Sequence, residues 1–412
     1  MLARPRSGDA IGQAIPLCFV LGPRPFIRMR CVILNRNYPP NSGITGYSAS
    51  ELAAYLQEHG VDVHIVTVGG NYQGGVSSEK HVQAATVHYV RNIYDGKNKI
   101  LRLAGSLIEG RSMARKAATL GMTPVITLTD PPLLNYWVAR ICRRRRIPWI
   151  YWSMDIYPEA FVAAGLVKTG SVLFRHFKKE LLKAAPDHLI ALGPQQAEYL
   201  QKDASRPVPT SILPCGVDHI ERSETPPDWM PAGGKITFCY VGNLGQAHDP
   251  RFVEAVIAAL DPARHHFILS VYGIHASRLL NYAADFNHVT ILNAVDRQEL
   301  GFIDIHLASL EPVWDHVCVP SKAVSAVCAG SCLLLCASEL GDNWHLLQDA
   351  SWRAEPGDNM PAEVARIVAS LTPEAVARTR TKALGCCQNL LQMKATAMTG
   401  ILDAVKRLQP SS

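Results

Sequence analysis

Residues 30–60 read RCVILNRNYPPNSGITGYSASELAAYLQEHG. Between Arg30 and Asn35 the apolar run is continuous rather than alternating, which predicts a parallel strand covered on both faces. The loop Arg36–Thr45 is rich in Pro, Asn and Gly. Gly46–His59 then carries helical spacing and stops at Gly60, a residue type that ends helices in the left-handed conformation. Strand, loop and helix in that order make the opening βα unit of a doubly wound domain.

The same alternation recurs outward from that unit. Val61–Val68, Thr86–Val90, Pro124–Leu128, Trp149–Ser153 and Asp187–Leu192 read as strands. Ile100–Leu120, Leu133–Arg146, Val172–Ala185 and Pro194–Lys202 read as helices. The pattern pauses at Leu213–Gly234, where Pro214, Pro226, Pro227, Pro231 and a Gly-Gly pair signal an interdomain connection. A second βα series follows, with strands Lys235–Val241, Phe267–Tyr272, Val289–Leu292, Asp304–Ser309 and Cys332–Cys336. Its helices include Pro250–Leu260, Ala276–Ala284 and Pro320–Ala329, and further helices after Cys336 complete it. The organisation predicted is therefore an extension over 1–28, a Rossmann-like domain over 29–215, a linker over 216–234 and a second Rossmann-like domain over 235–392. A terminal helix within 393–412 is expected to pack back on the first domain.

The chain has 412 residues, of which 48% are hydrophobic and 18% charged, values of a globular protein with two cores. No uninterrupted apolar run reaches the roughly 18 residues of a spanning helix. The net charge of +6 is unevenly spread: +3 over 1–28, +9 over 29–215 and −6 over 216–412. A basic first half is expected to face an anionic partner. Within 1–28 the apolar stretch Ala14–Gly22 is interrupted by Pro16 and lacks a small-residue cleavage site, so a cleaved signal is not expected. An unstructured extension, or a true start at Met29, is the reading preferred. The eleven cysteines form no CxxC or Cys/His spacing. Cys328, Cys332 and Cys336 are expected in the core, and the vicinal Cys386–Cys387 fits a reducing cytosol.

Neither first strand is followed by GxGxxG, and no GxxxxGK[ST] is present, so dinucleotide and P-loop chemistry are not indicated. Five other segments stand at the ends of predicted strands or the starts of predicted helices. They are Tyr38-Pro-Pro-Asn-Ser-Gly-Ile-Thr-Gly46, Ser153-Met-Asp-Ile-Tyr-Pro-Glu159, Leu213-Pro-Cys-Gly-Val-Asp218, Tyr240-Val-Gly-Asn-Leu-Gly245 and Val319-Pro-Ser-Lys322. Their order and βα context resemble the GT-B glycosyltransferases, specifically the large retaining, glycosyltransferase 4-like family that builds bacterial envelope polysaccharides.

The resemblance implies two Rossmann-like domains facing a central cleft, and a nucleotide-sugar donor whose diphosphate must be stabilised. Gly43 and Gly46 would let backbone approach the sugar diphosphate, with the following helix aiming its positive end there. Gly242, Asn243 and Gly245 occupy the donor-phosphate loop. Many relatives carry an arginine and a lysine in that loop, whereas this chain has Asn243 and His248. Lys322, opening a helix with Ser321, is the expected diphosphate clamp. Relatives often hold two glutamates eight positions apart, where this chain has Val317 and Ser325. Glu311 is then the nearest carboxylate for the ribose. Asp155 is the preferred acceptor-orienting group, Asp130 lies at the same sheet edge, and Glu159 is a weaker candidate.

No metal ion is expected, since no DxD occurs, and no cofactor beyond the nucleotide-sugar substrate. The acceptor implied is a lipid-linked saccharide. Basic clusters (Lys97, Lys99 and Arg102; Arg111, Arg115 and Lys116; Arg143–Arg146; Lys168, Arg175, Lys178, Lys179 and Lys183) line the first domain. The last interleaves with Val172, Leu173, Phe174, Phe177, Leu181 and Leu182, a pattern suited to an anionic membrane surface. The expected location is the inner face of the cytoplasmic membrane, with no nucleic-acid partner. A sugar-nucleotide epimerase and a silent scaffold of the same fold are the competing readings.

Overall fold

The computed structural model describes residues 29–40, 43–69, 85–94, 99–121 and 123–410. The extension 1–28 and Lys97 lie outside these. The first domain runs β1 (Arg30–Leu34), α1 (Ile44–Glu58), β2 (Asp62–Val68), β3 (Thr86–Val90), α2 (Lys99–Thr119), β4 (Val125–Thr127) and α3 (Leu134–Arg145). It continues through β5 (Trp149–Ser153), α4 (Glu159–Ala163), α5 (Val172–Leu182), β6 (His188–Ala191), α6 (Pro194–Lys202) and β7 (Thr210–Ile212). The seven strands pair in the order β3-β2-β1-β4-β5-β6-β7, all parallel.

Strand β1 shows why its sequence is uninterrupted. Cys31 and Ile33 point to one face and pack with Leu52 and Leu56 of α1. Val32 and Leu34 point to the other and pack with Met113 of α2 and Val138 of α3. Helices on both faces leave no polar alternation to be written into the strand.

The second domain comprises β8 (Ile236–Asn243), α7 (Pro250–Ala259), β9 (His265–Tyr272), α8 (Ala276–Ala283), β10 (Val289–Ile291), β11 (Ile305–Ser309) and α9 (Ser321–Cys328). After these come β12 (Cys332–Cys336), α10 (Asp342–Leu347), β13 (Ser351–Ala354), α11 (Met360–Ser370) and α12 (Pro373–Arg407). Its sheet is ordered β10-β9-β8-β11-β12-β13 and is parallel throughout. Each sheet therefore reverses its winding once, between β1 and β4 in the first and between β8 and β11 in the second. In doubly wound sheets, the loops leaving the strands at such a reversal form the ligand crevice.

Besides the five-residue helix α4, which the sequence reading does not contain, three elements depart from it. β7 is only three residues long and sits among Pro207, Pro209 and Pro214, so it carries no periodic signal. β13 is an edge strand whose half-buried Ser351 and Arg353 hide its character. The terminal helix does not begin at Met393: α12 is one helix of 35 residues, capped by the Thr372 hydroxyl with Pro373 in its first turn. Its first half packs on the second domain through Ala383, Cys386, Cys387 and Leu390. Its second half packs under the first sheet through Met398, Ile401, Leu402 and Val405. The boundary at 392/393 thus falls inside a helix that spans both domains.

Candidate functional site

The crevice residues come from the two reversal points. In the first sheet the loop after β1 leads to Gly43, which precedes α1 in extended conformation without a side-chain cap. Its carbonyl accepts from the Gly46 and Tyr47 amides at 3.0 and 3.1 Å. The Ile44 and Thr45 amides open the first turn of α1 with no partner among the described residues, an anion-accepting arrangement. Tyr47 on the same turn donates to the Asp218 carboxylate across the interdomain connection at 3.2 Å, and Arg297 pairs with that carboxylate at 3.2 Å.

The loops after β4 and β5 supply the two aspartates. Asp130 accepts from Asn37 Nδ2 at 2.6 Å, and its carbonyl accepts from the Arg36 amide at 2.7 Å. It therefore ties together the two loops that flank the first reversal. Asp155 is fixed by its backbone, whose amide donates to Thr129 Oγ1 at 3.1 Å. No described residue hydrogen-bonds its carboxylate. Burial pushes both carboxyls up to about 6, with Asp130 adding to the effect on Asp155. The Asp130 carboxylate thus accepts one hydrogen bond from the described residues and that of Asp155 none.

Directly after Asp155, the Ile156 amide donates to the Val317 carbonyl of the second domain at 3.1 Å. That carbonyl also accepts from Gln196 Nε2 at 3.3 Å. Val317 is 1% exposed, and its carbonyl makes the contact with the first domain. Ser325 donates to the Gly216 carbonyl at 3.1 Å. Gly216 has φ +87°, and a Cβ there would stand 2.6 Å from the Ser321 carbonyl oxygen. The two positions where relatives often carry glutamates are thus absorbed into the domain contact.

Lys322 stands at the second reversal. Its ammonium donates to the Asn243 carbonyl at 2.9 Å and to the Tyr240 hydroxyl, and it lies 4.1 Å from the Tyr240 ring centre. The Tyr240 hydroxyl itself donates to the Asn243 carbonyl at 3.0 Å. Burial pushes the ammonium down to about 7. All its direct partners are neutral, so it is a desolvated cation held ready for an anion. Sequence reasoning missed Tyr240, whose signal was an aromatic three residues before the loop asparagine.

The rest of the donor loop is arranged around this lysine. Gly242 has φ +114° with open space over its α-carbon. The Asn243 side chain lies against Gly273, where a Cβ would stand 2.3 Å from Oδ1, and it sits close to Gly245. His248 turns inward to the Ser309 carbonyl, and burial together with Lys322 holds its imidazole down to about 3. It is neutral and supplies no charge. The start of α7 is closed by Asp249, which accepts from the Arg251 amide at 2.9 Å. Glu311 donates its amide to Ala247 at 3.0 Å, and burial beside Asp249 raises its carboxyl. Ser321 opens α9 one residue before the lysine. Gly43, Gly46, Asp130 and Asp155 thus line one sheet's edge, and Gly242–Gly245, Glu311, Ser321 and Lys322 line the other's.

The basic face is a partial correction. Lys178 does not point outward but bonds Glu159 and Asp203 at 2.8 and 2.6 Å. Lys183 and Arg143 pair with Glu180 at 2.8 and 3.3 Å. Lys168, Arg175 and Lys179 are exposed beside Leu166, Val172 and Leu173, which are 64%, 75% and 54% exposed. Among the described residues, no helix is long and apolar enough to cross a membrane.

Comparison with known proteins agrees with this fold. Residues 43–216 match the family model described as "Glycosyl transferase 4-like domain". The probable glycosyltransferase WbjE of Pseudomonas aeruginosa is 23% identical over 270 residues, 60% of this chain and 64% of that protein, so less than two thirds of the relative is covered. Among solved structures, sucrose-phosphate synthase from Thermosynechococcus elongatus superposes with a TM-score of 0.65 at 15% identity, covering 92% of this chain and 99% of that one. HepE from Anabaena, solved with UDP and glucose, gives 0.64 at 14% identity, covering 92% and 100%. The fold is GT-B. The resemblance read from the motifs is thereby borne out at the level of the domain.

Proposed function

We propose that this chain, which carries a glycosyl transferase 4-like domain in a GT-B fold, is a glycosyltransferase. In this reading it moves a hexosyl or N-acetylhexosaminyl group from a nucleotide-sugar to a lipid-linked saccharide in envelope or exopolysaccharide synthesis. The observation that carries it is Lys322: a partly buried ammonium with only neutral partners at a sheet reversal. A diphosphate entering there gives the lysine its missing counter-charge. The α1 and α9 amides add fixed partial positive charge, and no metal ion is called for in this scheme.

The reaction proposed is retaining. The bond between the anomeric carbon and the donor phosphate oxygen breaks, and the acceptor oxygen bonds to that carbon from the same face. The acceptor proton passes to the leaving phosphate. Asp155 then serves to orient the acceptor hydroxyl through its free carboxylate, and Asp130 braces the loop beneath it. Exposed Leu166, Val172 and Leu173 beside Lys168, Arg175 and Lys179 support peripheral attachment to an anionic membrane on its cytoplasmic side. UDP in the HepE structure supports a nucleoside diphosphate ligand here.

A thermal-shift screen against UDP-, GDP- and dTDP-sugars tests the reading, followed by transfer of labelled sugar to lipid extracts. A rise with one nucleotide that is absent in Lys322→Ala supports it; equal shifts in both proteins would remove Lys322 from the site. Val317 and Ser325, locked into the domain contact, favour a second reading as a silent scaffold, which predicts binding without turnover.

A further inference from the structure

The run Arg143–Arg146 takes no part in the cleft. It ends α3 at the edge where the strands of the first sheet begin, beside Trp149 of β5 and Asp187 just ahead of β6. Asp130 and Asp155 follow the opposite ends of β4 and β5. A groove of about 420 Å³ opens at this edge, within the roughly 300–1,000 Å³ of small-molecule sites. Among the described residues its lining holds four cations, Arg143, Arg146, Lys183 and Arg206, and one carboxylate, Asp187.

This positive charge is not balanced where it sits. The Glu180 carboxylate accepts from Arg140 at 2.8 Å, Arg143 at 3.3 Å and Lys183 at 2.8 Å, so three cations share one anion. Lys183 above all, with Arg143 and Arg140, holds that carboxyl down to about 2, and it offsets a single one of the three. Arg206 spends Nη2 on Asp187 at 2.8 Å and on the Pro186 carbonyl at 3.0 Å. Its Nε and Nη1 have no partner among the described residues. The Arg146 side chain has none either, and its backbone is the left-handed cap of α3. Five cations thus gather around two carboxylates, an excess of three positive charges. Like charges held this close repel until an anion joins them.

Guanidinium groups match the oxygens of a phosphate, and three of the four lining cations are arginines. Ile147, Pro148, Trp149, Ala184 and Leu408 add carbon to the same lining. We propose that the groove binds a phosphate ester, with the phosphate held by Arg143, Arg146, Lys183 and Arg206 and the carbon part against the apolar residues. The proposal goes beyond the glycosyltransferase reading and does not rest on it. The same chemistry has two sources, the headgroup of an anionic lipid or a soluble phosphate ester. Lys183 continues the exposed Arg175 and Lys179 at four-residue steps along α5, so the groove lies at the end of that basic patch.

The test uses the full chain carrying Lys322→Ala, which weakens phosphate binding in the cleft, with glycerol 3-phosphate as the probe and phosphorus NMR line width as the readout. Saturable broadening is expected. Adding Arg143→Gln with Arg146→Gln should weaken binding at least about tenfold, and Lys183→Gln alone about three- to fivefold. Glu180→Gln, which releases three cations, should tighten it about two- to fivefold, a gain that misfolding does not produce. No saturable broadening, undiminished affinity in the folded double variant, or no gain in folded Glu180→Gln overturns the proposal. None of these readouts uses turnover, so failure of the glycosyltransferase reading leaves them intact. Dihexanoyl-phosphatidylglycerol below its micellar concentration assigns the source. Tighter binding than glycerol 3-phosphate, with vesicle flotation weakened in the double variant, assigns a lipid headgroup; no tighter binding, with flotation unchanged, assigns a soluble ester.

Discussion

The carboxylate of Asp342, on the second domain, accepts from the Gln195 and Gln196 amides at 2.9 and 2.8 Å and so caps the first turn of α6 on the first domain. Gly193 makes this possible, because a Cβ there would stand 2.2 Å from Asp342 Cγ. Helix capping normally comes from the residue just before the helix; here it comes from the other domain.

Removing that cap has a defined cost. Asp342→Ala is expected to lower stability by about 0.5–2 kcal/mol, the range of a lost cap, read from denaturant midpoints. Gly193→Ala should cost at least as much, since the displaced carboxylate leaves both amides bare. If Asp342→Ala leaves midpoint and slope unchanged, the contact does not hold the domains.

Lys322 predicts a proton coupled to ligand binding. Its ammonium sits at about 7 before a ligand enters, and a diphosphate raises it. Binding therefore takes up a proton above pH 7, and affinity falls as pH rises, by up to about tenfold per pH unit. Calorimetry at pH 8 in two buffers of different ionisation enthalpy should show uptake of about 0.9 proton, from the fraction deprotonated one unit above the pKa. Lys322→Ala should bind more weakly and take up none. Equal heats in the two buffers for wild-type protein would exclude a titrating lysine at the phosphates.

Asp155 predicts opposite effects on activity and stability. Its carboxyl is raised from 3.8 to about 6, so the folded state disfavours the charge more than the unfolded chain does. The resulting loss of stability is absent below pH 4 and complete above pH 6. Asp155→Asn should therefore raise the thermal midpoint at pH 7.5 and leave it unchanged at pH 4. Transfer activity should drop at least about tenfold, and the acid limb near pH 6 should lose the share that Asp155 contributes. Because Asp130 titrates in the same range, the wild-type limb belongs to the pair. A variant that is destabilised at pH 7.5 would contradict a desolvated carboxylate.

What the sequence disclosed follows from locality. The run Cys31–Leu34 and the glycine that follows α1 encode a βα unit within thirty-odd residues, and every later unit repeats the code. Lys322 was legible because a helix start and a lysine are adjacent in the chain. Its partners Tyr240 and Asn243 are 82 and 79 residues away; their segment stood out in the chain, but nothing local shows that the Tyr240 hydroxyl and the Asn243 carbonyl meet this lysine. The inward turn of Lys178 likewise depends on Glu159 and Asp203, which only the tertiary fold brings to it. Helix α12 was cut short in the reading because its burial changes partners midway, from Leu390 on one domain to Ile401 on the other.

That change of partners makes α12 a strut whose far end can be tested by itself. Ile401 is fully buried under the first sheet. Ile401→Ala should cost about 2–5 kcal/mol, the range for emptying a packed aliphatic site. Lys394, bonded to Glu51 and at 2.7 Å to the Val217 carbonyl, should cost less when changed to Met. A loss below 1 kcal/mol for Ile401→Ala, on the scale of a surface change, would mean that the helix end does not carry the first domain's core.

The exposed patch on α5 separates two contributions to membrane attachment. Val172 and Leu173 supply apolar area, while Lys168, Arg175 and Lys179 supply charge that is not consumed by described ion pairs. Attraction to anionic lipid is worth about 1 kcal/mol per basic residue near the surface and is screened by salt. Reversing Arg175 and Lys179 to Glu should therefore abolish flotation with phosphatidylglycerol vesicles at low salt. Val172→Ser with Leu173→Ser should weaken binding at high salt, where only the apolar part persists. Lys178→Met should leave flotation unchanged, because that ammonium is already paired with Glu159 and Asp203. Flotation that survives the charge reversal would place the membrane contact on another face.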